Sequence, residues 1–259
     1  MAEGLLLLHA FPLDHTMWDP QVKAFERVLP VVTPDFPGFG GSPIVESPTI
    51  DMAADFAAEA LRAANVDRAV VCGLSMGGYV ALSFWRRHRE MVAGLVFANT
   101  RAAADDEAGR ERRLALAARL RSEGQQFLAS DPPALLSSNA PGELTTWVKN
   151  CISMQPAEAI AGASEAMANR PDSTPDLAGI SVPTLVITSA EDTLIPPDLT
   201  RAMAEATPNA RFEIIERAGH LSNMEAPERF NELLREHLVR VGFVKEHMPH
   251  GVRTGPNVG

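Results

Sequence analysis

Short apolar runs and segments of helical spacing alternate along the first hundred residues. Leu5 to His9 is almost wholly apolar and predicts a strand, and Met17 to Val28 predicts a helix with Trp18, Val22 and Phe25 inward. Pro30 to Thr33 predicts the next strand. It empties into Asp35-Phe36-Pro37-Gly38-Phe39-Gly40-Gly41-Ser42, a loop no regular element could tolerate. Thr49 is placed to cap a helix reaching about Ala64. The β-branched run from Ala69 to Cys72 predicts a buried strand, the residues after Gly77 a helix, and Val92 to Ala98 another strand. This alternation predicts an α/β architecture, a mostly parallel sheet with helices on both faces.

Residues 101 to 179 show helical periodicity only, broken by Gly124, Asp131-Pro132-Pro133, Pro141-Gly142, Pro156 and Pro171. They predict a helical cap inserted into a core made of residues 1–100 and 180–245. The core resumes with a strand at Pro183 to Thr188, a helix near Asp198 to Ala206, a strand at Arg211 to Ile215 and a helix from Pro227 to about Val241. Residues 246–259, rich in proline and glycine and poor in apolar side chains, are expected to be a disordered tail.

Composition narrows the function classes. The chain has 259 residues and a formal charge of −10, which argues against an electrostatic nucleic-acid partner. Arg110, Arg112, Arg113, Arg119 and Arg121 cluster, but they interleave with Leu114, Leu116 and Leu120 and follow Asp105-Asp106-Glu107, the pattern of a solvated helix face. Two distant cysteines make neither a disulfide framework nor a zinc-ligand spacing, and no metal or organic cofactor is called for. The Leu5-Leu6-Leu7-Leu8 run is too short for a signal peptide, and no stretch approaches a membrane span. A cytoplasmic location is expected. The oligomeric state is unknown from sequence.

Candidate chemistry begins at Gly73-Leu74-Ser75-Met76-Gly77-Gly78, between the Ala69 strand and the following helix. Ser75 thus sits on a sharp strand-to-helix turn, where a β-carbon at Gly73 or Gly77 would collide with neighbouring backbone. Its hydroxyl stands clear of the sheet, and the Met76 amide points to the same space from a helix N-terminus. His220 follows the last strand, on a loop that can reach a site above the sheet, and its near-neutral pKa suits proton transfer. An acid must orient it. Asp192 follows the strand at Pro183 to Thr188; the other candidate place, the end of the Val92 strand, carries Asn99 and Thr100, which cannot ionise. The order is serine, acid, histidine.

With His9-Ala10-Phe11-Pro12, the Asp35-to-Ser42 loop, Gly73-x-Ser75-x-Gly77-Gly78, Asp192 and Gly219-His220, the chain resembles the α/β-hydrolase superfamily from Leu5 to about Val241. Within it the chain looks most like the small esterase and lactonase branch, with 3-oxoadipate enol-lactonases and pimeloyl-ester carboxylesterases. The resemblance implies an α/β-hydrolase fold with the cap after the sixth strand. Only four residues precede Leu5, so either the first two strands of that fold are short or missing or the true N-terminus is longer. It also implies an oxyanion hole from the amides of Phe11 and Met76, with His9 bracing the loop.

The implied reaction is hydrolysis of a small to medium ester or lactone through an acyl-enzyme on Ser75, with an apolar acyl group expected. Phe11, Phe127, Trp147, Met154, Leu194 and Leu221 are candidate substrate contacts. Arg101 or Arg170 could meet a substrate carboxylate, though surface placement is expected for both. The same triad could serve a carbon–carbon bond hydrolase or a perhydrolase, and some relatives are ligand sensors rather than enzymes.

Overall fold

The computed structural model describes residues 1–245; the expected tail lies outside the described residues. Six strands form one sheet: β1 (Glu3–Leu8), β2 (Val31–Val32), β3 (Arg68–Leu74), β4 (Val92–Ala98), β5 (Thr184–Ser189) and β6 (Ala210–Ile215). Their order is β2-β1-β3-β4-β5-β6, and every neighbouring pair is parallel. β3 and β4 are buried almost throughout, because helices cover both faces and leave no solvated side to alternate toward.

The core helices are α1 (Asp19–Phe25), α2 (Ile50–Ala63), α3 (Met76–Arg87), α9 (Pro197–Ala206), α10 (Ser222–Glu225) and α11 (Pro227–Val241). α2 is an amphipathic helix: Ala53, Ala54, Ala57, Ala58 and Leu61 are buried, and the Thr49 side chain accepts from the Met52 amide as the expected cap. The helix expected at Met17 to Val28 is instead a 3-10 turn (His15–Trp18) followed by α1. Pro20 explains the break, since a residue without an N–H fits only the first turn of a helix. Trp18 and Phe25 are fully buried, whereas Val22 is half-buried.

Between β4 and β5 the chain forms α4 (Glu107–Glu123), α5 (Gln126–Ser130), α6 (Gly142–Met154), α7 (Ala157–Ala168) and α8 (Thr174–Leu177), with no strand. In the α/β-hydrolase fold this insertion follows the sixth strand. Here it follows the fourth, because the two leading strands have no counterpart among the described residues.

Topology places the site. The chain leaves β1 toward β2 on one side and returns as β3 on the other, so the order reverses between β1 and β3. Parallel sheets open a crevice at the carboxyl ends of strands flanking such a switch. Phe11 follows β1 and Ser75 follows β3; Asn99, Asp192 and His220 follow β4, β5 and β6.

Candidate active site

Ser75 has φ 56° and ψ −115°, outside the regions an ordinary side chain prefers. Such a conformation costs on the order of 1–3 kcal/mol and persists only where its surroundings over-determine it. They do. The Ser75 amide donates to the Ala98 carbonyl at 3.0 Å, and its own carbonyl accepts from the Gly78 amide at 2.9 Å and Thr100 Oγ1 at 2.8 Å. A β-carbon at Gly73 would lie 2.1 Å from the Gly77 oxygen, and one at Gly77 would lie 2.0 Å from the Leu8 oxygen. These contacts lock the turn against β1 and leave Ser75 lining a cavity.

His220 Nδ1 donates to Asp192 Oδ2 at 2.8 Å, with both side chains almost wholly buried. A carboxylate partner fixes the proton on Nδ1 and leaves Nε2 as the basic nitrogen of the neutral ring. Asp192 Oδ1 accepts from the amides of Leu194 and Ile195, both at 3.0 Å. Burial alone would raise the Asp192 pKa, but hydrogen bonds from His220, Ile195 and Asn99 hold it below the usual carboxylate range. The pair is therefore an ionised carboxylate clamping an imidazole.

The amides of Phe11 and Met76 donate to no backbone acceptor among the described residues. His9, fully buried, accepts from the Phe36 amide at Nε2 (3.0 Å) and donates from Nδ1 to the Ala10 carbonyl (3.0 Å). It ties the Phe11 loop to the Asp35 loop. Burial lowers its pKa, keeping the ring neutral.

Ser75, His220 and Phe11 share a cavity of about 420 Å³, within the range of small-molecule sites. Its other walls come from Tyr79, Arg101, Asp105, Leu135, Leu194 and Ile195, and from Gly109, Arg112, Arg113 and Leu116 on one face of α4. Of the six candidate substrate contacts, Phe11 and Leu194 lie on this cavity; the other four do not. Met154 is 80% exposed at the end of α6. Phe127 is half-buried beneath the Arg119 guanidinium, 3.7 Å from its ring centroid. Trp147 packs half-buried against the hydrophobic core. Leu221 is fully buried, its amide donating to the Leu135 carbonyl at 3.0 Å.

The arginines also depart from expectation. Arg119 and Arg121 do sit on a solvated face, bonded to Glu123, Glu158 and Glu165. Arg112 and Arg113 instead line the cavity, as does Arg101. Arg170 is not on the surface: it is 7% exposed, stacked on Tyr79 and paired with Asp105.

Two residues acquire roles that sequence reasoning missed. Asn99, considered above only as a non-ionisable alternative, donates from Nδ2 to Asp192 Oδ2 at 2.9 Å and to Ser189 Oγ at 2.8 Å. Its φ of 46° is one that asparagine tolerates better than most residues. Glu225 accepts from the amides of Gly219 (2.9 Å) and Ser137 (3.0 Å), stitching the His220 loop to the insertion. No signal short of a fold would have found Glu225. No cluster of three metal-ligating side chains occurs among the described residues, and none of their helices is long and apolar enough to cross a membrane.

Known proteins share this fold. The chain is 30% identical over 248 residues to 3-oxoadipate enol-lactonase 1 of Acinetobacter baylyi, covering 94% of this chain and 89% of that one. It is 31% identical over 243 residues to the pimeloyl-(acyl-carrier protein) methyl ester esterase of Aromatoleum aromaticum, covering 86% and 93%. A thermophilic esterase from Thermogutta terrifontis, solved with malate bound, matches with a TM-score of 0.88 at 39% identity, over 93% of this chain and 90% of that one. The alpha/beta hydrolase family matches residues 5–233, and with this fold and this turn the chain belongs to it.

Proposed function

We propose that the protein is a serine hydrolase that cleaves a carboxylic ester or lactone of small to medium size through an acyl-enzyme on Ser75. The observation that carries this reading is the buried His220–Asp192 pair, whose histidine lines the same cavity as a strained, half-buried serine. Relatives named as an enol-lactonase and esterases support it.

In the first step Ser75 Oγ attacks the ester carbonyl carbon while its proton passes to His220 Nε2. Asp192 stabilises the imidazolium without taking the proton. The amides of Phe11 and Met76 receive the developing oxyanion, each worth a few kcal/mol in such a role. Collapse breaks the carbon–oxygen bond to the alcohol, which leaves with the His220 proton; in a lactone the alcohol stays attached. Water, deprotonated by His220, then hydrolyses the acyl-enzyme and restores Ser75. No cofactor takes part. The helices from residue 101 to 179 act as a cap that selects the substrate.

A fluorophosphonate probe tests this directly. It should label the wild type at Ser75, and Ser75→Ala should lose both labelling and p-nitrophenyl butyrate turnover; undiminished turnover by Ser75→Ala would sink the proposal.

A further inference from the structure

The chain carries a net charge of −10, yet the wall of its cavity opposes that sign. Three guanidiniums, Arg101, Arg112 and Arg113, line the cavity, against a single lining carboxylate among Asp and Glu, that of Asp105. That carboxylate is already saturated. It is only 3% exposed and accepts from Arg101, from Arg113 Nε at 2.5 Å and from the buried Arg170 at 2.9 Å. Three arginines around one anion, with Arg112 on the same cavity, leave formal charge uncompensated beside the site.

Two of these arginines keep unpaired donors among the described residues. Arg101 lines the cavity, and its Nε is buried without a hydrogen-bond partner among the described residues, an unmade bond that costs free energy. Arg112 is exposed and forms no ion pair among the described residues. Gly109, Arg112, Arg113 and Leu116 recur at the spacing of one helix face, so α4 presents both arginines to the cavity together. Gly109 adds no side chain between them and the space.

We propose that Arg101, Arg112 and Arg113 form an anion subsite that receives a carboxylate borne by the substrate at a position remote from the scissile bond. The proposal rests on the ester or lactone reading above and narrows it to substrates with a free carboxylate. A guanidinium fork suits a carboxylate because two N–H groups meet two oxygens in parallel. Asp105 takes the complementary task, holding Arg101 and Arg113 in place while Arg112 keeps its whole charge.

Monomethyl and dimethyl glutarate test the subsite, since the monoester offers a carboxylate where the diester offers a neutral ester. The wild type should favour the monoester in kcat/KM by at least tenfold, and rising ionic strength should erode that preference. Arg112→Gln, which removes an exposed side chain with no ion pair among the described residues, should raise KM for the monoester about tenfold and change KM for the diester severalfold less. Arg101→Gln should act alike, with circular dichroism to verify the fold. Equal preference for both esters in the wild type, or equal losses on both in the variants, overturns the subsite. Calorimetry separates the two proposals. Glutarate binding to Ser75→Ala that weakens about tenfold in Ser75→Ala/Arg112→Gln supports the subsite even if no ester is turned over; absent glutarate binding, or binding indifferent to Arg112, counts against it even if neutral esters are hydrolysed.

Discussion

Asn99 Nδ2 and His220 Nδ1 share one acceptor, Asp192 Oδ2, at 2.9 and 2.8 Å. The two places from which the fold could supply an acid, the ends of β4 and β5, therefore meet in a single hydrogen-bonded unit. Ser222 extends it by donating to Asn99 Oδ1 at 2.6 Å.

Asn99 does not line the cavity, so its removal should reach the reaction through Asp192 and His220 rather than through substrate contact. Asn99→Ala is expected to lower kcat roughly tenfold, the scale of about 1.4 kcal/mol, with KM for an ester substrate unchanged. Asn99→Asp should cost more, because a second carboxylate beside Asp192 would compete for the same proton. The acid limb of its pH–rate profile should move to higher pH. A KM effect equal to the kcat effect in Asn99→Ala would show that the residue acts on binding instead.

Asp105 should matter first for stability. Burial would raise its pKa, but bonds from Arg170 and Arg113 outweigh that and hold it down to about 2. Asp105→Ala leaves Arg170, whose side chain is 3% exposed, without a counter-charge. Stranding one member of a buried pair costs roughly 3–5 kcal/mol. Thermal unfolding should show a drop on the order of 10 °C, about 2–4 °C per kcal/mol for a chain this size. Asp105→Leu combined with Arg170→Met should recover most of it.

Acid should weaken the fold through His237. Burial, helped by Arg240 and Arg211, lowers its pKa from 6.5 to about 4, and Nε2 has no partner among the described residues. Below about pH 6.5 the unfolded chain takes the proton first, so this contribution is whole above that pH and is lost as pH falls toward 4. It amounts to roughly 3–3.5 kcal/mol at 1.36 kcal/mol per unit. His9, also lowered by burial, adds in the same direction. Urea midpoints at pH 7.5 and 5 should differ less in His237→Leu than in the wild type.

Elements built on a strong period were legible in the sequence. The Val92–Ala98 strand and the Pro227–Val241 helix have the bounds their patterns predict. So was the crowding at Gly73 and Gly77, which a strand-to-helix turn imposes by itself. The cavity wall was not legible. α4 packs against α7 on one side and faces the cavity with another, and a polar face turned to an internal space has the same composition as one turned to water. Arg112 and Arg113 were therefore indistinguishable from Arg119 and Arg121. Apolar character placed Phe127, Trp147 and Leu221 away from water without saying what they would touch. Their neighbours come from residues distant in sequence, as Leu221 and Leu135 illustrate.

The Ser75 turn is set by main-chain atoms: the Gly77 oxygen presses on Gly73 and the Leu8 oxygen on Gly77, with no long side chain between them. Arg112, Leu116 and Leu194, by contrast, reach the cavity from segments that share none of those contacts. The molecule thus separates what can drift from what cannot. Wall residues can be exchanged in a laboratory evolution campaign to retarget the cavity while Ser75 keeps its coordinates, whereas any side chain at Gly73 or Gly77 would press on main-chain oxygen at about 2 Å.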